Sequence, residues 1–233
     1  MAKSTRINEV LDEELSIKDG DFDGETKETG TVEFKNVSFK YPDADEYLLK
    51  NISFKAKKGE TIAFIGSTGS GKSSLINLIP RFYDVTGGEL YIDGVNVKDV
   101  SQKDLRNVIG FVPQKGVLFS GTIESNIKFA DKNMSDEKMV EAARIAQATE
   151  FIESKPEKYQ EPIAQGGTNV SGGQKQRLSI ARAVASDPEI YVFDDSFSAL
   201  DYKTDCVLRE ELKKVTKDKT VIIVAQRINT VLN

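Results

Sequence analysis

Apolar and polar residues follow two strand patterns along this chain. They alternate over residues 31–39, which predicts a half-buried strand. Unbroken apolar runs predict buried strands at 61–65, 190–193 and 220–224. Shorter strands are predicted at 48–54, 87–94 and 108–112. The early part of the chain is therefore rich in β-structure.

Helical spacing of apolar residues begins after residue 73 and dominates the middle of the chain. Helices are predicted at 74–79, 99–107 and 203–215. Ser135 is a suitable N-cap for a longer helix that continues to about residue 152, and Ser171 begins another that closes at Asp187. Strands that alternate with helices favour a largely parallel α/β core, with β-rich material first and a helical insertion.

Composition narrows the class of protein. The 233 residues suffice for one large domain or a domain with a subdomain. A net charge of −5 argues against a nucleic-acid partner. Cys206 is the only cysteine, which fits a reducing compartment, and the absence of histidine excludes histidine catalysis. No apolar run is long enough for a membrane helix and no signal peptide opens the chain, so we expect a soluble chain that can dock on a membrane partner.

Residues 66–73 fit the phosphate-loop pattern G-x-x-x-x-G-K-[ST], between a predicted strand and a predicted helix. Glycines allow successive backbone N–H groups to converge on an anion, and the helix that follows adds its free N–H groups. Lys72 is expected to reach the β- and γ-phosphates, and the Ser73 hydroxyl to ligate Mg²⁺.

Two further segments carry chemistry. Asp194 follows a buried strand and is expected at its carboxyl end, where α/β sheets bind ligands, so that it holds Mg²⁺ opposite Ser73. Ser171, Gly172, Gly173 and Gln174 open a second anion-receptive helix.

This Ser-Gly-Gly-Gln segment, between a phosphate loop and a strand-end aspartate, resembles the signature of ATP-binding cassette (ABC) ATPases. The resemblance runs from about residue 31 to the end of the chain. It implies an α/β fold with a P-loop NTPase RecA-like core, an N-terminal antiparallel β-subdomain and an inserted α-helical subdomain. The expected divisions are a linker from a transmembrane domain at 1–30 and an ABC ATPase domain at 31–233. Within that domain we expect the β-subdomain and first part of the core at 31–114, the helical subdomain at 115–185 and the rest of the core at 186–233.

The resemblance also implies site roles, with ATP and Mg²⁺ as cofactors. Tyr41 is expected to stack on adenine, and Gln114 to contact Mg²⁺ and the attacking water. The expected nucleotide-binding residues are Tyr41, Gly66, Ser67, Thr68, Gly69, Ser70, Gly71, Lys72, Ser73, Ser74, Gln114, Ser171, Gly172, Gly173 and Gln174. The expected metal ligands are Ser73, Gln114 and Asp194, and the expected catalytic residues are Asp195, Gln226, Gln114 and Lys72.

Residues 112–127 resemble the exporter subgroup in particular, and residues 6–13 resemble the segment that joins its last membrane helix to the cassette. The expected partners are therefore a transmembrane domain of the same full-length chain and a second ABC subunit in a head-to-tail dimer, at the cytoplasmic face of the cell membrane. We expect the chain to be clipped from a longer one at its C-terminal end.

Two single positions and one loop depart from the family. Asp195 stands where the family has its hydrolytic glutamate, and Gln226 where it has a histidine near the γ-phosphate. Residues 163–167 lack the Glu–Arg pair of the exporter coupling loop. The first two departures predict a weakened hydrolytic site, as in one half of a heterodimeric exporter.

Three alternatives remain. They are a regulatory ATP-binding module without turnover, an ordinary homodimeric exporter ATPase, and a chromosome-organising ATPase. The acidic balance and the lack of long heptad repeats disfavour the last of these. The transported substrate is not encoded in these residues.

Overall fold

The computed structural model describes residues 16–226, so residues 6–13, which resemble the segment that joins a membrane helix to the cassette, lie outside them. The strands of this part are β1 (Val32–Phe39), β2 (Leu49–Ala56), β3 (Thr61–Ile65), β4 (Gly87–Ile92), β5 (Val95–Asn96), β6 (Ile109–Val112), β7 (Gly121–Thr122), β8 (Pro162–Ile163), β9 (Ile190–Asp194) and β10 (Thr220–Ala225). Its α-helices are α1 (Lys72–Asn77), α2 (Gln102–Asn107), α3 (Ile123–Ile127), α4 (Asp136–Ile145), α5 (Thr149–Glu153), α6 (Gly172–Ser186) and α7 (Tyr202–Val215).

An antiparallel sheet with strand order β2-β1-β4-β5 forms the first layer. In β1 the predicted alternation is present, since Val32, Phe34, Val37 and Phe39 are buried. The spacing of three between Phe34 and Val37 coincides with a register shift against β2 and with left-handed backbone at Asn36 (φ 49°). This bulge keeps both halves of the strand facing the same core.

A parallel sheet with order β3-β10-β9-β6 forms the second layer. Strand β9 is buried along its whole length. Tyr191 and Phe193 face one apolar cluster, which includes residues of the helices α3 to α7. Ile190 and Val192 face another cluster, which includes residues of the antiparallel sheet and α1. The α/β prediction, with an antiparallel sheet added to a parallel core and helices, is confirmed.

The helical region departs from the sequence prediction at one point. The helix expected to run from Ser135 to about residue 152 is two helices, α4 and α5. Gln147 adopts left-handed backbone (φ 55°) between them. Its N–H donates to Arg144 O (3.0 Å), and the Ala148 N–H donates to Ala143 O (2.8 Å). These two bonds form a Schellman motif, which ends a helix. The continuous-helix prediction was therefore wrong.

The segment before β1 is docked on the fold. The Phe22 N–H donates to Asp99 O (2.9 Å), and Asp19 accepts the Gln102 N–H (2.9 Å). Gly20 also lies against this region, because a Cβ there would be 2.0 Å from the Asp99 backbone. The segment thus follows the β5–α2 connection. None of the described helices combines the length and hydropathy needed to cross a bilayer.

Two carboxyl groups, the buried one of Asp93 and the half-buried one of Glu189, hold the backbone where this segment joins β1. Glu189 accepts the Gly30 N–H (3.1 Å), and Asp93 accepts the Thr31 N–H (2.7 Å). Asp93 is 5% exposed and lies near Glu189 and Glu28. Burial raises the pKa of the Asp93 carboxyl to about 6, against the opposing effect of its backbone hydrogen bonds.

We predict that Asp93→Asn stabilises the fold at neutral pH. Because the pKa of Asp93 is raised in the folded state, its carboxyl makes its full contribution to stability below the unfolded pKa of 3.8. That contribution is lost as the pH rises through about 6. The asparagine keeps a hydrogen-bond acceptor and carries no charge. Urea unfolding is expected to give a gain of roughly 1–3 kcal/mol at pH 7.5 and little difference at pH 4.

The matched control is Asp218→Asn, because Asp218 is exposed in the turn before β10. It should change stability little at either pH. An equal loss of stability at both pH values in Asp93→Asn would contradict the prediction.

Candidate functional site

The carboxyl ends of the parallel strands and the loop before α1 enclose a cavity of about 300 Å³. In open α/β sheets, ligands bind outside the carboxyl ends of the strands, which is this edge. The cavity is lined by Leu48, Thr68, Gly69, Ser70, Gly71, Lys72, Ser73, Ser74, Gln114, Asp194, Asp195, Val224 and Gln226. The fold thus brings together most of the residues that the sequence singled out.

The phosphate loop folds around the end of the Lys72 side chain. Lys72 Nζ donates to Gly66 O (2.7 Å), Ser67 O (2.6 Å) and Ser70 Oγ (3.0 Å). Gly69 (φ 83°) and Gly71 (φ 86°) adopt left-handed backbone, which side-chain-bearing residues disfavour. The ammonium group is held over the loop by three oxygen acceptors, and phosphate oxygens are equally suitable acceptors for it.

Ser73 and Asp194 lie side by side at the base of the cavity. Ser73 Oγ donates to Asp194 Oδ1 (2.9 Å). Asp194 is 7% exposed, and this burial raises the pKa of its carboxyl, while the Ser73 hydrogen bond and the Lys72 charge oppose the rise. A hydroxyl and a carboxylate oxygen at one point fit Mg²⁺, which takes one or two protein ligands when phosphates supply others.

The Asp195 carboxylate is held by two amides. Gln226 Nε2 donates to Asp195 Oδ2 (3.0 Å), and Gln114 Nε2 donates to the same oxygen (3.3 Å). The Asp195 backbone is left-handed (φ 45°), and its N–H donates to Val224 O (3.0 Å). Asp195 is 8% exposed. One oxygen of the expected base is therefore engaged by neutral donors from the ends of two neighbouring strands.

Tyr41 is not among the residues that line the cavity, but it contacts Ser74, which is. Its hydroxyl shares a hydrogen bond with Ser74 Oγ (2.8 Å). Leu48 was not predicted by the sequence, although it lines the cavity and is 41% exposed. The sequence gives only one indication of this position, which is that an apolar residue, Leu48, directly precedes the first residue of β2, Leu49.

The signature residues lie apart from this cavity. Ser171 Oγ accepts the Gln174 N–H (3.2 Å), and Gln174 Oε1 accepts the Ser171 N–H (3.0 Å). This capping box begins α6. Ser171 and Gly172 are exposed, and none of the four signature residues lines the cavity in the described chain. The predicted nucleotide-binding set therefore divides into two surfaces.

Helix α6 is bonded to the loop that follows Gln114, a connection that the sequence did not reveal. Gln176 is 1% exposed, accepts the Gly116 N–H (2.9 Å) and donates to Pro113 O (3.0 Å). Further along α6, Arg182 donates to Val117 O (3.0 Å). The signature helix and the loop after Gln114 are thus joined at two points.

A lysine-bearing phosphate loop beside a Ser–Asp pair, on a parallel sheet, defines a P-loop nucleotide-binding domain. The chain belongs to the ABC transporter family, whose model matches residues 49–198. ATP-binding domains of this family are ATPases coupled to export. The predictions of an ABC ATP-binding domain, of exporter type, are confirmed.

Several known proteins similar to this chain are named as exporters. It is 44% identical over 226 residues to a multidrug export ATP-binding/permease protein of Staphylococcus aureus strain NCTC 8325, covering 97% of this chain and 39% of that protein. The corresponding protein of the bovine strain RF122 is 43% identical. The solved structure of a bacterial Atm1-family ABC exporter with ATP bound matches with a TM-score of 0.92 and 33% identity, covering 100% of this chain and 41% of that one. The chain thus spans well under half of the relatives that it matches.

We predict that Gln176→Met destabilises the chain by roughly 2–4 kcal/mol, because two backbone groups lose their partner in a buried setting. Urea unfolding measures the change. Gln160→Met is the control, since Gln160 is exposed, and it should stay within about 0.5 kcal/mol of wild type. Equal stability of the two variants would contradict the prediction.

Proposed function

We propose that this chain binds Mg-ATP and uses it to drive an ABC exporter. The observation that carries the proposal is the Ser73–Asp194 hydrogen bond (2.9 Å) beside the Lys72 ammonium, at one end of the cavity. Lys72 and the loop amides hold the phosphates, while Ser73 and Asp194 supply oxygen ligands to Mg²⁺. Tyr41 stacks on the adenine, and Gln114 contacts Mg²⁺ and the attacking water. Mg²⁺ neutralises phosphate charge when it is bound.

The nucleotide site is shared with a second ABC subunit. The signature residues 171–174, of which Ser171 and Gly172 are exposed, lie on a different surface from the cavity, which supports a head-to-tail dimer in which each signature contacts the other subunit's nucleotide. Gly173 and Ala199 pack closely, since a Cβ on Gly173 would lie 3.3 Å from Ala199 O. The loop before α7 therefore shares the signature surface.

Hydrolysis at this chain's own site is weak. Asp195 is one methylene shorter than glutamate, and a displacement near 1 Å costs roughly 10²-fold in rate. Its Oδ2 is also engaged by Gln114 and Gln226. Gln226 donates a hydrogen bond and carries no proton to transfer. These features favour one half of a heterodimeric exporter over an ordinary homodimeric ATPase.

The transmembrane partner belongs to the same full-length protein, as in the ATP-binding/permease relatives. A groove of about 430 Å³ between the parallel sheet and α6 supports a docking face for it. Among the residues of this groove, Phe82 and Val117 are large, apolar and exposed. Docking there positions the chain at the cytoplasmic face of the membrane.

The first test is nucleotide binding. Lys72→Ala is expected to weaken Mg-ATP binding about tenfold or more, because a charged hydrogen-bond donor to phosphate is lost. Titration calorimetry of the chain with Mg-ATP measures the affinity. Lys103→Ala, at an exposed position in α2, serves as the control and should bind like wild type. No measurable ATP binding by the unaltered chain would contradict the proposed function.

The second test concerns turnover. The unaltered chain is expected to hydrolyse ATP slowly. Asp195→Glu combined with Gln226→His is expected to raise the rate about tenfold or more, because the glutamate reaches one methylene further and the histidine can carry a proton. Phosphate release under saturating Mg-ATP measures the rate. Ordinary ABC ATPase turnover that is unchanged in Asp195→Asn would exclude the weakened site.

The same assay separates the other interpretations. No hydrolysis by the double variant, despite normal ATP binding, would favour a regulatory ATP-binding module. Stimulation of turnover by DNA would favour a chromosome-organising ATPase.

A further inference from the structure

The turn after β9 is bonded to the strands on both sides of it. The pairing of β9 with β6 ends where Phe193 lies beside Val112. Beyond that pair, the Asp195 N–H donates to Val224 O of β10 (3.0 Å). On the other side, Ser196 Oγ donates to Val112 O at the end of β6 (2.7 Å). The turn that carries Asp195 is therefore fixed between the ends of β10 and β6.

The bond from Ser196 to Val112 is completely buried. Both residues are 0% exposed. A buried hydroxyl that loses its acceptor cannot bond to water instead, so breaking this bond costs more than breaking an exposed one. The serine hydroxyl therefore holds the end of β6 against the turn, beyond the last pair of the two strands.

Two residues expected to face the nucleotide lie on either side of this bond. Gln114 comes two residues after Val112, and Asp195 directly precedes Ser196. Their own contact is long, since Gln114 Nε2 is 3.3 Å from Asp195 Oδ2, beyond the usual range of N–H···O bonds. Such a contact is weak and does not by itself fix the two side chains. The shorter bond made by Ser196 sets the distance between the two segments that carry them.

The loop that carries Gln114 is also bonded to α6. Gln176 donates to Pro113 O (3.0 Å) and accepts the Gly116 N–H (2.9 Å). These two bonds hold the loop to the helical region and not to the strand that carries Asp195. Ser196 thus ties the start of the same loop to the turn that follows β9.

We infer that Ser196 is a positioning residue for Gln114. By holding the end of β6 against the turn, its hydroxyl keeps the Gln114 side chain beside Asp195, in the cavity of the proposed metal site. The inference rests on the proposed function, in which Gln114 contacts the Mg²⁺ of the bound nucleotide. Ser196 is buried and is not among the residues that line this cavity, so it acts through Gln114.

A positioning role has a signature that a purely structural role lacks. We define the metal-dependent gain as the ratio of the ATP affinity in Mg²⁺ to the ATP affinity in EDTA. A residue that acts through Gln114 changes this ratio, because Gln114 contacts the nucleotide through Mg²⁺ in the proposed site. Partial unfolding lowers both affinities equally and leaves the ratio unchanged.

The experiment is titration calorimetry of the unaltered chain, Ser196→Ala, Gln114→Ala and the double variant, with ATP in Mg²⁺ and in EDTA. Each single substitution is expected to lower the metal-dependent gain about fivefold. The double variant should lose no more than Gln114→Ala alone, because both changes act at one interaction. The ATP affinity in EDTA should stay within about twofold of that of the unaltered chain in all three.

Urea unfolding of the same variants separates stability from positioning. Ser196→Ala loses a buried hydrogen bond, so its stability should fall by the same amount with and without Gln114. Its effect on the metal-dependent gain should appear only when Gln114 is present. A further loss of gain when Ser196→Ala is added to Gln114→Ala would overturn the inference.

Ser198→Ala is the matched control, since Ser198 Oγ donates to Asp195 O (2.9 Å) and is thus bonded within the turn rather than to β6. Its metal-dependent gain should equal that of the unaltered chain. A gain that Ser196→Ala leaves unchanged, or that Ser198→Ala lowers equally, would overturn the inference. Absence of ATP binding, or of any gain from Mg²⁺, in the unaltered chain would instead count against the proposed function.

Discussion

Burial of β9 on both faces is the constraint on which the site depends. Its side chains alternate between two apolar clusters, one shared with the helices and one with the antiparallel sheet. A polar group can leave such a strand only at its ends. Asp194 and Asp195 therefore emerge at the carboxyl edge, between the ends of β6 and β10. Because side chains alternate along a strand, a shift of one residue would exchange the two faces and move both carboxylates.

The two neighbouring carboxylates have different surroundings at this edge. Asp194 meets a hydroxyl and a nearby ammonium group, which favour its ionised form against the effect of burial. Asp195 meets two neutral amides at one oxygen and has a left-handed backbone. Non-glycine residues adopt that conformation at a cost, which the surrounding hydrogen bonds offset. Identical side chains thus meet different chemistry: Asp194 lies beside a hydroxyl and an ammonium group, as the proposed cation site requires, and Asp195 accepts hydrogen bonds from amides.

Prediction from sequence was strongest where the determinants are local. Helix α6 begins at the Ser171 cap and ends before Asp187, as expected, because capping uses hydrogen bonds within a few residues. The sequence did not predict the break between α4 and α5 at Gln147, because glutamine has no strong preference for left-handed backbone. The sequence also did not predict the hydrogen bonds of Gln176, since its partners Pro113 and Gly116 are about 60 residues away in the chain.

By itself, the sequence determined the class of protein: a phosphate loop between strand and helix, a signature segment and a strand-end aspartate, each a short contiguous pattern. Tertiary structure alone decided which of these groups share a surface. It joined Ser73 to Asp194 across 121 positions of sequence, joined Ser74 to Tyr41, and left the signature on a separate surface. The physical reason is that hydrogen bonds within a turn or cap depend on nearby residues, whereas contacts between distant residues depend on how sheets and helices pack around the buried β9.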